Sequence, residues 1–256
     1  MCLILLSVDS HPTYRLILAA NRDEFFDRPT EPLAFWPDAP DVLAGRDLKN
    51  RGTWLAVSRS GRLAALTNYR EPGRQNPSAR SRGLLISDFV SGSESPHGYL
   101  ERIQTNGDEY NGFNLIVGDE TGLYYYSNRG GKIQPVEPGI HGLSNRLLDT
   151  PWPKVELGKS KLQEIIETNP EIREEALFRI LEDRHLPPDD SLPDTGVGLE
   201  WERMLSPLFI TSDFYGTRSS SVILIDRSGR ITFSERTFSN TGSGPAENEI
   251  RRFFIE

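Results

Sequence analysis

The order of apolar and polar residues predicts a chain built mainly of short strands. An apolar run from Cys2 to Val8, a polar turn at 9–12 and a second apolar run from Tyr14 to Ala20 predict a buried hairpin. Two shorter apolar runs, Thr53 to Ser58 and Leu63 to Thr67, flank a short loop and predict a second hairpin. Further strands are predicted at residues 113–117, 123–127, 139–144, 208–211, 219–226 and 231–237.

Helices are predicted where apolar residues recur every three or four positions. The segments Pro153 to Glu167 and Glu171 to Asp183 show this spacing with charges between the apolar positions, which is typical of amphipathic helices. The segments Leu84 to Val90 and Tyr99 to Ile103 predict one broken helix that follows a polar loop. Residues 25–40 contain several prolines, so we expect that stretch to be irregular and to lie at the surface.

The arrangement of these elements predicts an α+β protein. Hairpins near both ends of the chain, with helices between them, favour antiparallel sheet covered by helices over alternating βαβ units. The sequence has no internal repeat and no low-complexity linker, so a single domain over residues 1–256 is predicted. It also lacks a glycine-rich phosphate loop, which disfavours a nucleotide-binding fold.

Charge and cysteine content narrow the class of partner. The 29 basic and 37 acidic residues give a formal net charge of −8, which repels nucleic acid and anionic lipid surfaces. Apolar runs stay well below the roughly 18 residues that span a bilayer, and the first residues lack a basic leader, so we expect a soluble, unexported, cytoplasmic protein. The single cysteine excludes an internal disulfide and any multi-cysteine metal site, and no metal is predicted.

The lone cysteine, Cys2, stands directly after the initiator Met1. Removal of Met1 would leave Cys2 with a free α-amine beside its thiol. An α-amine with a pKa of about 7.7 to 8.0 can accept the proton of a thiol near 8.5, so one residue would supply both nucleophile and base. The alternative is that Cys2 is a small buried residue that opens a strand.

Four polar residues, Asn21-Arg22-Asp23-Glu24, directly follow the second predicted strand. If the first two strands pair as a hairpin, this segment lies beside Cys2. The guanidinium of Arg22 would then favour a thiolate, and the carboxylate of Asp23 could hold the α-amine in place. The alternative is a solvated turn with a surface ion pair.

These residues make the sequence resemble the NRDE family, also called the transport and Golgi organisation 2 family. The resemblance covers nearly the whole chain. The matching segments are Met1-Cys2, residues 16–24, residues 52–57, residues 63–69, residues 113–115, residues 142–145 with 150–152, and Gly216-Thr217-Arg218.

The family is similar to N-terminal-nucleophile hydrolases of the bile-salt hydrolase and penicillin V acylase type, which implies a four-layer αββα sandwich. By this resemblance Cys2 is the nucleophile, and Asn145 with Asn68 supplies amide donors for the oxyanion. Arg218 corresponds to a site arginine that neutralises an acidic substrate group. From the residues alone, both asparagines could instead form turns and Arg218 could be a surface charge.

One departure from those acylases concerns the segment after the second strand. They carry an Arg-x-x-Asp pattern there, whereas this chain has Asn21-x-x-Glu24, so Arg22 and Asp23 are displaced by one residue. Because side chains alternate between the faces of a strand, this shift could point Arg22 away from Cys2.

Two functions remain open from the sequence. The first is a hydrolase of linear amides or thioesters that uses Cys2, Arg22, Asp23, Asn68 and Asn145 and needs no cofactor. The second is a non-catalytic carrier of haem, acyl-coenzyme A or a small hydrophobic acid, because the family has been linked to haem and lipid trafficking. Predicted ligand-binding residues are Asn21, Glu24, Arg70 and Arg218. Arg70 belongs to a basic segment with Arg74, Arg80 and Arg82, and the candidate axial ligands for haem as cargo are Cys2, His11, His97, His141, His185, Met1 and Met204.

Overall fold

The computed structural model describes residues 2–240 and 245–256. The strands are β1 (Cys2–Val8), β2 (Tyr14–Phe25), β3 (Thr30–Trp36), β4 (Ala39–Asp47), β5 (Leu55–Ser58), β6 (Leu63–Asn68), β7 (Phe113–Asp119), β8 (Gly122–Ser127), β9 (Ile133–Pro135), β10 (Gly139–Leu143), β11 (Tyr215–Asp226), β12 (Ile231–Asn240) and β13 (Pro245–Ile255). The helices are α1 (Gly83–Ser91), α2 (Pro96–Thr105), α3 (Pro153–Thr168), α4 (Glu174–Leu181) and α5 (Leu199–Met204).

The described residues fall into two compact units, and each contains one sheet. The first unit is formed by residues 1–27, 138–144 and 148–256, as far as they are described, and the second by residues 28–137 and 145–147. The single domain over residues 1–256 stays a prediction.

The first unit is a six-stranded antiparallel sheet with the strand order β10-β1-β2-β11-β12-β13. Helix α3 packs against β1 and β10, and α4 packs against β2 and β11. Their shared core joins strand residues such as Leu3 and Leu5 to helix residues such as Val155 and Leu177, all of them buried. Residues two apart on a strand share a face, so Leu3 and Leu5 define the helix-covered face of β1.

The predicted first hairpin is confirmed, but its second strand runs to Phe25 and not to Ala20, so residues 21–24 lie within β2 and do not follow it. Strand β1 pairs antiparallel with β2 in a continuous register from Cys2 opposite Arg22 to Val8 opposite Leu16. Every residue of β1 is buried, which agrees with an apolar run that lacks alternation.

The second unit is a seven-stranded antiparallel sheet with the strand order β3-β4-β5-β6-β7-β8-β9. Helix α1 packs against β4, β5 and β6, and α2 packs against β7, β8 and β9. Their core is rich in aromatic residues, and Phe89, Tyr99 and Phe113 are almost fully buried.

The expectation of an irregular stretch at residues 25–40 is wrong, because this stretch forms β3 and the start of β4. Proline is tolerated at the edge of a sheet and at breaks in pairing, and β3 is an edge strand. Pro32 lies where the pairing of β3 with β4 shifts register, and Pro37 lies in the turn between the two strands. Leu33 and Trp36 are apolar residues of β3, and both are buried.

Two other elements differ from the prediction. Residues 208–211 are not a strand, although Leu208, Phe209 and Ile210 are buried. Their backbone groups bond to separate partners and not to one neighbouring strand. The Phe209 N–H, for example, donates to Asp183 O. The predicted single broken helix is two helices, α1 and α2. Ser95 caps α2 by accepting a hydrogen bond from the Gly98 N–H, which gives α2 a start of its own.

No helix among the described residues is both long enough and apolar enough to cross a membrane.

The Asp149 side chain links β10 to α3 through hydrogen bonds and an ion pair. Its carboxylate bonds to His141 Nδ1 at 2.7 Å, accepts from the Gly142 N–H at 2.9 Å and lies 3.0 Å from Lys159 Nζ. Burial acts to raise the pKa of Asp149, but these three partners outweigh it and lower the pKa to about 2. The backbone of Asp149 has φ +56, a conformation that asparagine also tolerates.

We predict that Asp149→Asn lowers the free energy of unfolding at pH 7 by about 1–2 kcal/mol, because it removes the carboxylate charge but keeps the residue's shape. The pKa of Asp149 is lower in the folded chain, so its stabilisation is present above about pH 4 and is lost as the pH falls towards 2. Urea unfolding as a function of pH should therefore show the variant and the wild type converging in acid.

The matched control is Glu156→Gln, which removes a more exposed carboxylate 3.6 Å from the same Lys159 Nζ. An effect as large as that of Asp149→Asn would contradict the special role of Asp149.

Candidate active site

The register of three strands places Arg22 beside the thiol. On β1, Cys2 stands directly opposite Arg22 of β2, and Arg22 in turn stands opposite Ser219 of β11. Residues directly opposite each other in antiparallel strands point to the same face of the sheet. The displacement of the motif by one residue therefore does not turn Arg22 away from Cys2.

Asp23 lies on the other face of β2, which it shares with Asn21, and this is the face that the helices cover. Its side chain is only 1% exposed. The Thr217 hydroxyl donates to Asp23 Oδ1 at 2.8 Å and itself accepts from the Ile210 N–H at 2.9 Å. Burial raises the pKa of Asp23, against the opposing influence of Lys154, Thr217 and Arg22.

The Cys2 thiol is held in its neutral form by its surroundings. Burial raises the pKa of Cys2, and the nearby Asp23 carboxylate raises it further. The Arg22 guanidinium and a backbone hydrogen bond from Asp23 lower the pKa of Cys2 but do not cancel the burial. Because the thiol is neutral, attack by its sulfur requires a base. The Ser144 hydroxyl, just after the end of β10, donates to the Cys2 carbonyl at 3.2 Å and so holds the start of β1.

Asn21 uses its whole side chain for hydrogen bonds inside the first unit. Its Nδ2 donates to Leu181 O at 2.8 Å and to Leu208 O at 2.9 Å, and its Oδ1 accepts from the Ser220 hydroxyl at 2.6 Å. The residue has no exposed surface. This geometry favours a structural role for Asn21 over a ligand-binding one, because Asn21 ties β2 to the end of α4 and to the segment before β11.

Glu24 and Arg218 lie close to Arg22. Glu24 Oε2 is 3.9 Å from Arg22 Nη2, and Glu24 Oε1 accepts from the Phe25 N–H. Arg218 is the extra residue in a bulge of β11, and its Nη1 donates to Phe25 O at 2.8 Å. Burial and the neighbouring Arg22 lower the pKa of Arg218, against the influence of Glu24 and Asp27. Two neighbouring arginines, one of them opposite Cys2, make this region suitable for an anionic group.

The second unit brings Asn68, Asn145 and Arg70 together. Asn145 Nδ2 donates to Asn68 O at 2.9 Å, and the Arg70 N–H donates to Asn145 O at 2.8 Å. Asn145 and Arg70 are buried, and Asn68 ends β6. The Asn145 amide is therefore held by the Asn68 backbone carbonyl, and the oxyanion role of both residues rests on the family resemblance.

The rest of the predicted basic segment has ordinary partners. Arg80 pairs with Glu109 at 2.8 Å, and Arg82 Nη1 donates to Gly112 O at 2.8 Å. Arg74 is exposed in a turn.

The four histidines differ in their burial and hydrogen bonds. His11 is buried, and its Nδ1 accepts from the backbone N–H groups of Thr13 and Tyr14. His141 bonds to Asp149. His97 and His185 are exposed, Met204 is half-buried at the end of α5, and Met1 lies outside the described residues. Within residues 2–240 and 245–256, no three His, Cys, Asp or Glu side chains group closely enough to hold a metal ion.

Solved structures define the class of this fold. The chain is similar to the mutant C2A conjugated bile acid hydrolase from Clostridium perfringens, with a TM-score of 0.52 and 10% identity over 99% of this chain and 96% of that one. It is also similar to a Caenorhabditis elegans N-acylethanolamine-hydrolyzing acid amidase ortholog, with a TM-score of 0.50 and 11% identity over 88% and 92%. The protein therefore has the α+β fold of N-terminal-nucleophile hydrolases, as the sequence predicted.

The chain belongs to the Transport and Golgi organisation 2 family, whose model matches residues 1–240. A bovine relative, Transport and Golgi organization protein 2 homolog, is 41% identical over 97% of this chain and 96% of its own length. The Drosophila melanogaster Transport and Golgi organization protein 2 is 33% identical over 96% and 94%. The predicted family membership is thereby confirmed.

Sequence reasoning missed three polar residues that support this site. Thr217, Ser220 and Lys154 bond or lie close to the buried members of the Asn21–Glu24 segment. Thr217 stands in the matched Gly216-Thr217-Arg218 segment, so a signal for it existed. Lys154 is buried in the first turn of α3, and nothing in its local sequence distinguishes it from the half-buried Lys159 and Lys161 that follow.

We predict that Asn21→Ala lowers the free energy of unfolding by about 3 kcal/mol or more, because it leaves Leu181 O, Leu208 O and the Ser220 hydroxyl without their buried partner. Urea unfolding at pH 7 measures the effect. The control is Asn169→Ala, which removes an exposed asparagine side chain that bonds to Ile165 O. Equal small effects of both substitutions would contradict a structural role for Asn21.

Proposed function

We propose that the protein is a hydrolase of linear amide or thioester bonds in which Cys2 is the nucleophile. The observation that carries this proposal is the register that sets Cys2 opposite Arg22 with the buried Asp23 next to it. Cys2 is also the only cysteine of the chain, at position 2.

The raised pKa of Cys2 favours an N-terminal nucleophile over a preformed thiolate. A buried neutral thiol needs a base within reach. His11 and His141 bond to other groups, and His97 and His185 are exposed. Removal of Met1 would give Cys2 an α-amine of its own, with a pKa suited to accept the thiol proton near neutral pH. We assign to Asp23 the role of orienting that amine.

The reaction then proceeds in two steps. The α-amine takes the thiol proton while the sulfur bonds to the substrate carbonyl carbon. The leaving amine or thiol departs with that proton and leaves a thioester on Cys2. Water attacks this thioester after giving a proton to the α-amine, and the product acid leaves as the Cys2 thiol is restored.

Binding of the substrate follows from charge. Arg22 and Arg218 suit an acidic group, and Glu24 balances one of the two positive charges. We assign Asn68 and Asn145 to the oxyanion, on the strength of the family resemblance. We assign as substrate class an amide of a small hydrophobic acid, or the coenzyme A thioester of that acid, in the reducing cytoplasm where a lone cysteine stays free.

The names of the similar structures support this reaction class. One is a conjugated bile acid hydrolase in a C2A mutant form and another is an N-acylethanolamine-hydrolyzing acid amidase ortholog. Both names describe proteins that hydrolyse bonds of an acyl group.

We predict that Cys2→Ala abolishes turnover, with a loss of at least about a thousandfold, because it removes the attacking sulfur. The measurement is hydrolysis of a panel of fatty acyl coumarin amides and acyl thioesters. Intact mass should also show that Met1 is absent from the wild type. Iodoacetamide should add one adduct to the wild type and none to Cys2→Ala. Thermal unfolding provides the control for folding, and turnover by Cys2→Ala at the wild-type rate would contradict the proposal.

A carrier of haem is the competing function. His11 uses both ring nitrogens inside the protein and so does not offer an axial ligand, whereas His141 bonds to Asp149 through Nδ1. We predict that titration with haem gives no saturable Soret shift. A saturable shift at one equivalent, together with an unreactive Cys2 and a retained Met1, would favour the carrier.

A further inference from the structure

We propose that Lys154 is a positioning residue for Asp23: its buried ammonium group favours the ionised form of the Asp23 carboxyl and holds that side chain in place. The catalytic meaning of this inference rests on the proposed function. The electrostatic relation between the two residues can be tested without any turnover.

The first observation is the burial of Lys154 itself. It lies in the first turn of α3 and is only 4% exposed. Its Nζ donates to Leu205 O at 3.0 Å. A carbonyl oxygen carries no net charge, so it accepts a hydrogen bond but does not neutralise the ammonium. A buried ammonium is tolerated when a carboxylate lies near it.

The second observation is the position of Asp23 on the face of the sheet that α3 covers. Leu3 of β1 pairs with Asn21, and Asn21 and Asp23 share a face of β2. Leu3 packs in one core with Trp152 and Val155, the neighbours of Lys154 at the start of α3. The side chains of Lys154 and Asp23 are therefore buried on the same side of the sheet.

The other charged groups around Asp23 differ in placement. Arg22 stands on the opposite face of β2, and the Cys2 thiol shares that opposite face. From β11, Thr217 donates a neutral hydroxyl to Asp23, and the Tyr215 hydroxyl donates to the Asp23 backbone carbonyl. Among the charged side chains that lower the pKa of Asp23, Lys154 has the largest influence.

Glu202 is a second buried carboxylate and is the alternative partner for Lys154. Glu202 of α5 is buried and lies close in sequence to Leu205, whose carbonyl binds Lys154. Its Oε1 accepts from the Thr195 N–H at 2.8 Å and from the Thr195 hydroxyl at 2.6 Å. The experiment must therefore separate Glu202 from Asp23 as the partner of Lys154.

The experiment uses the full chain labelled with ¹³C at aspartate. We expect Lys154→Met to raise the titration midpoint of the Asp23 carboxyl by at least one pH unit, because the variant removes the cation and keeps an unbranched side chain. Lys161→Met is the matched control, since Lys161 lies on the same helix but pairs with Asp183. An unchanged Asp23 midpoint in Lys154→Met would overturn the proposal.

A double-mutant cycle identifies the partner. The cycle compares the melting temperatures of Lys154→Met combined with Asp23→Asn and of Lys154→Met combined with Glu202→Gln. We expect Asp23→Asn to recover part of the melting temperature lost in Lys154→Met, because removal of both charges leaves neither one buried alone. Recovery by Glu202→Gln instead would assign Lys154 to Glu202 and overturn the proposal.

If Lys154→Met does not fold, the wild type carries the test. The ¹⁵N signal of Lys154 Nζ should then shift at the titration midpoint of the Asp23 ¹³C signal, and a Lys154 signal that does not respond at that midpoint would overturn the proposal. In the folded variant, the acid limb of kcat/KM should move to higher pH. An absence of turnover in the wild type contradicts the proposed hydrolase but leaves the titration result intact.

Discussion

The pairing register of β1 with β2 is the constraint on which the candidate site depends. Cys2 opposite Arg22 fixes which residues of the Asn21–Glu24 segment face the thiol, and the register continues without a break to Val8 opposite Leu16. A slip of one residue would exchange the two faces of β2 and move Arg22 to the helices. Such a slip is costly because Ile17 and Ala19 of β2 would also leave the core that they form with α3 and α4.

This register divides the four motif residues between two tasks. Arg22 and Glu24 lie on the face of the thiol, where charge acts on Cys2 and on a bound substrate. Asn21 and Asp23 lie on the helix-covered face, where Asn21 joins three parts of the first unit and Asp23 is held by Thr217. A motif of consecutive polar residues in a strand therefore serves both the chemistry and the packing, because alternate side chains belong to different surroundings.

The sequence predicts those features that depend on local pattern. The hairpin of β1 and β2, the amphipathic helix α3 and most strands follow from apolar runs, spacing and turn residues. The prolines of β3 misled the prediction because their compatibility with an edge strand depends on the strand's place in the sheet. Residues 208–211 misled it in the opposite direction, because burial of Leu208 to Ile210 does not require a partner strand.

The same limit applies to the site. Cys2, Arg22 and Asp23 can be proposed from the sequence because a hairpin brings their positions together. Lys154 cannot, because 131 positions separate it from Asp23 and its importance comes only from burial on the same face. Burial raises the pKa of the Asp23 carboxyl, and the charged side chain that opposes this rise most strongly comes from another element. The electrostatics of a short motif are thus completed by a residue that the motif does not contain.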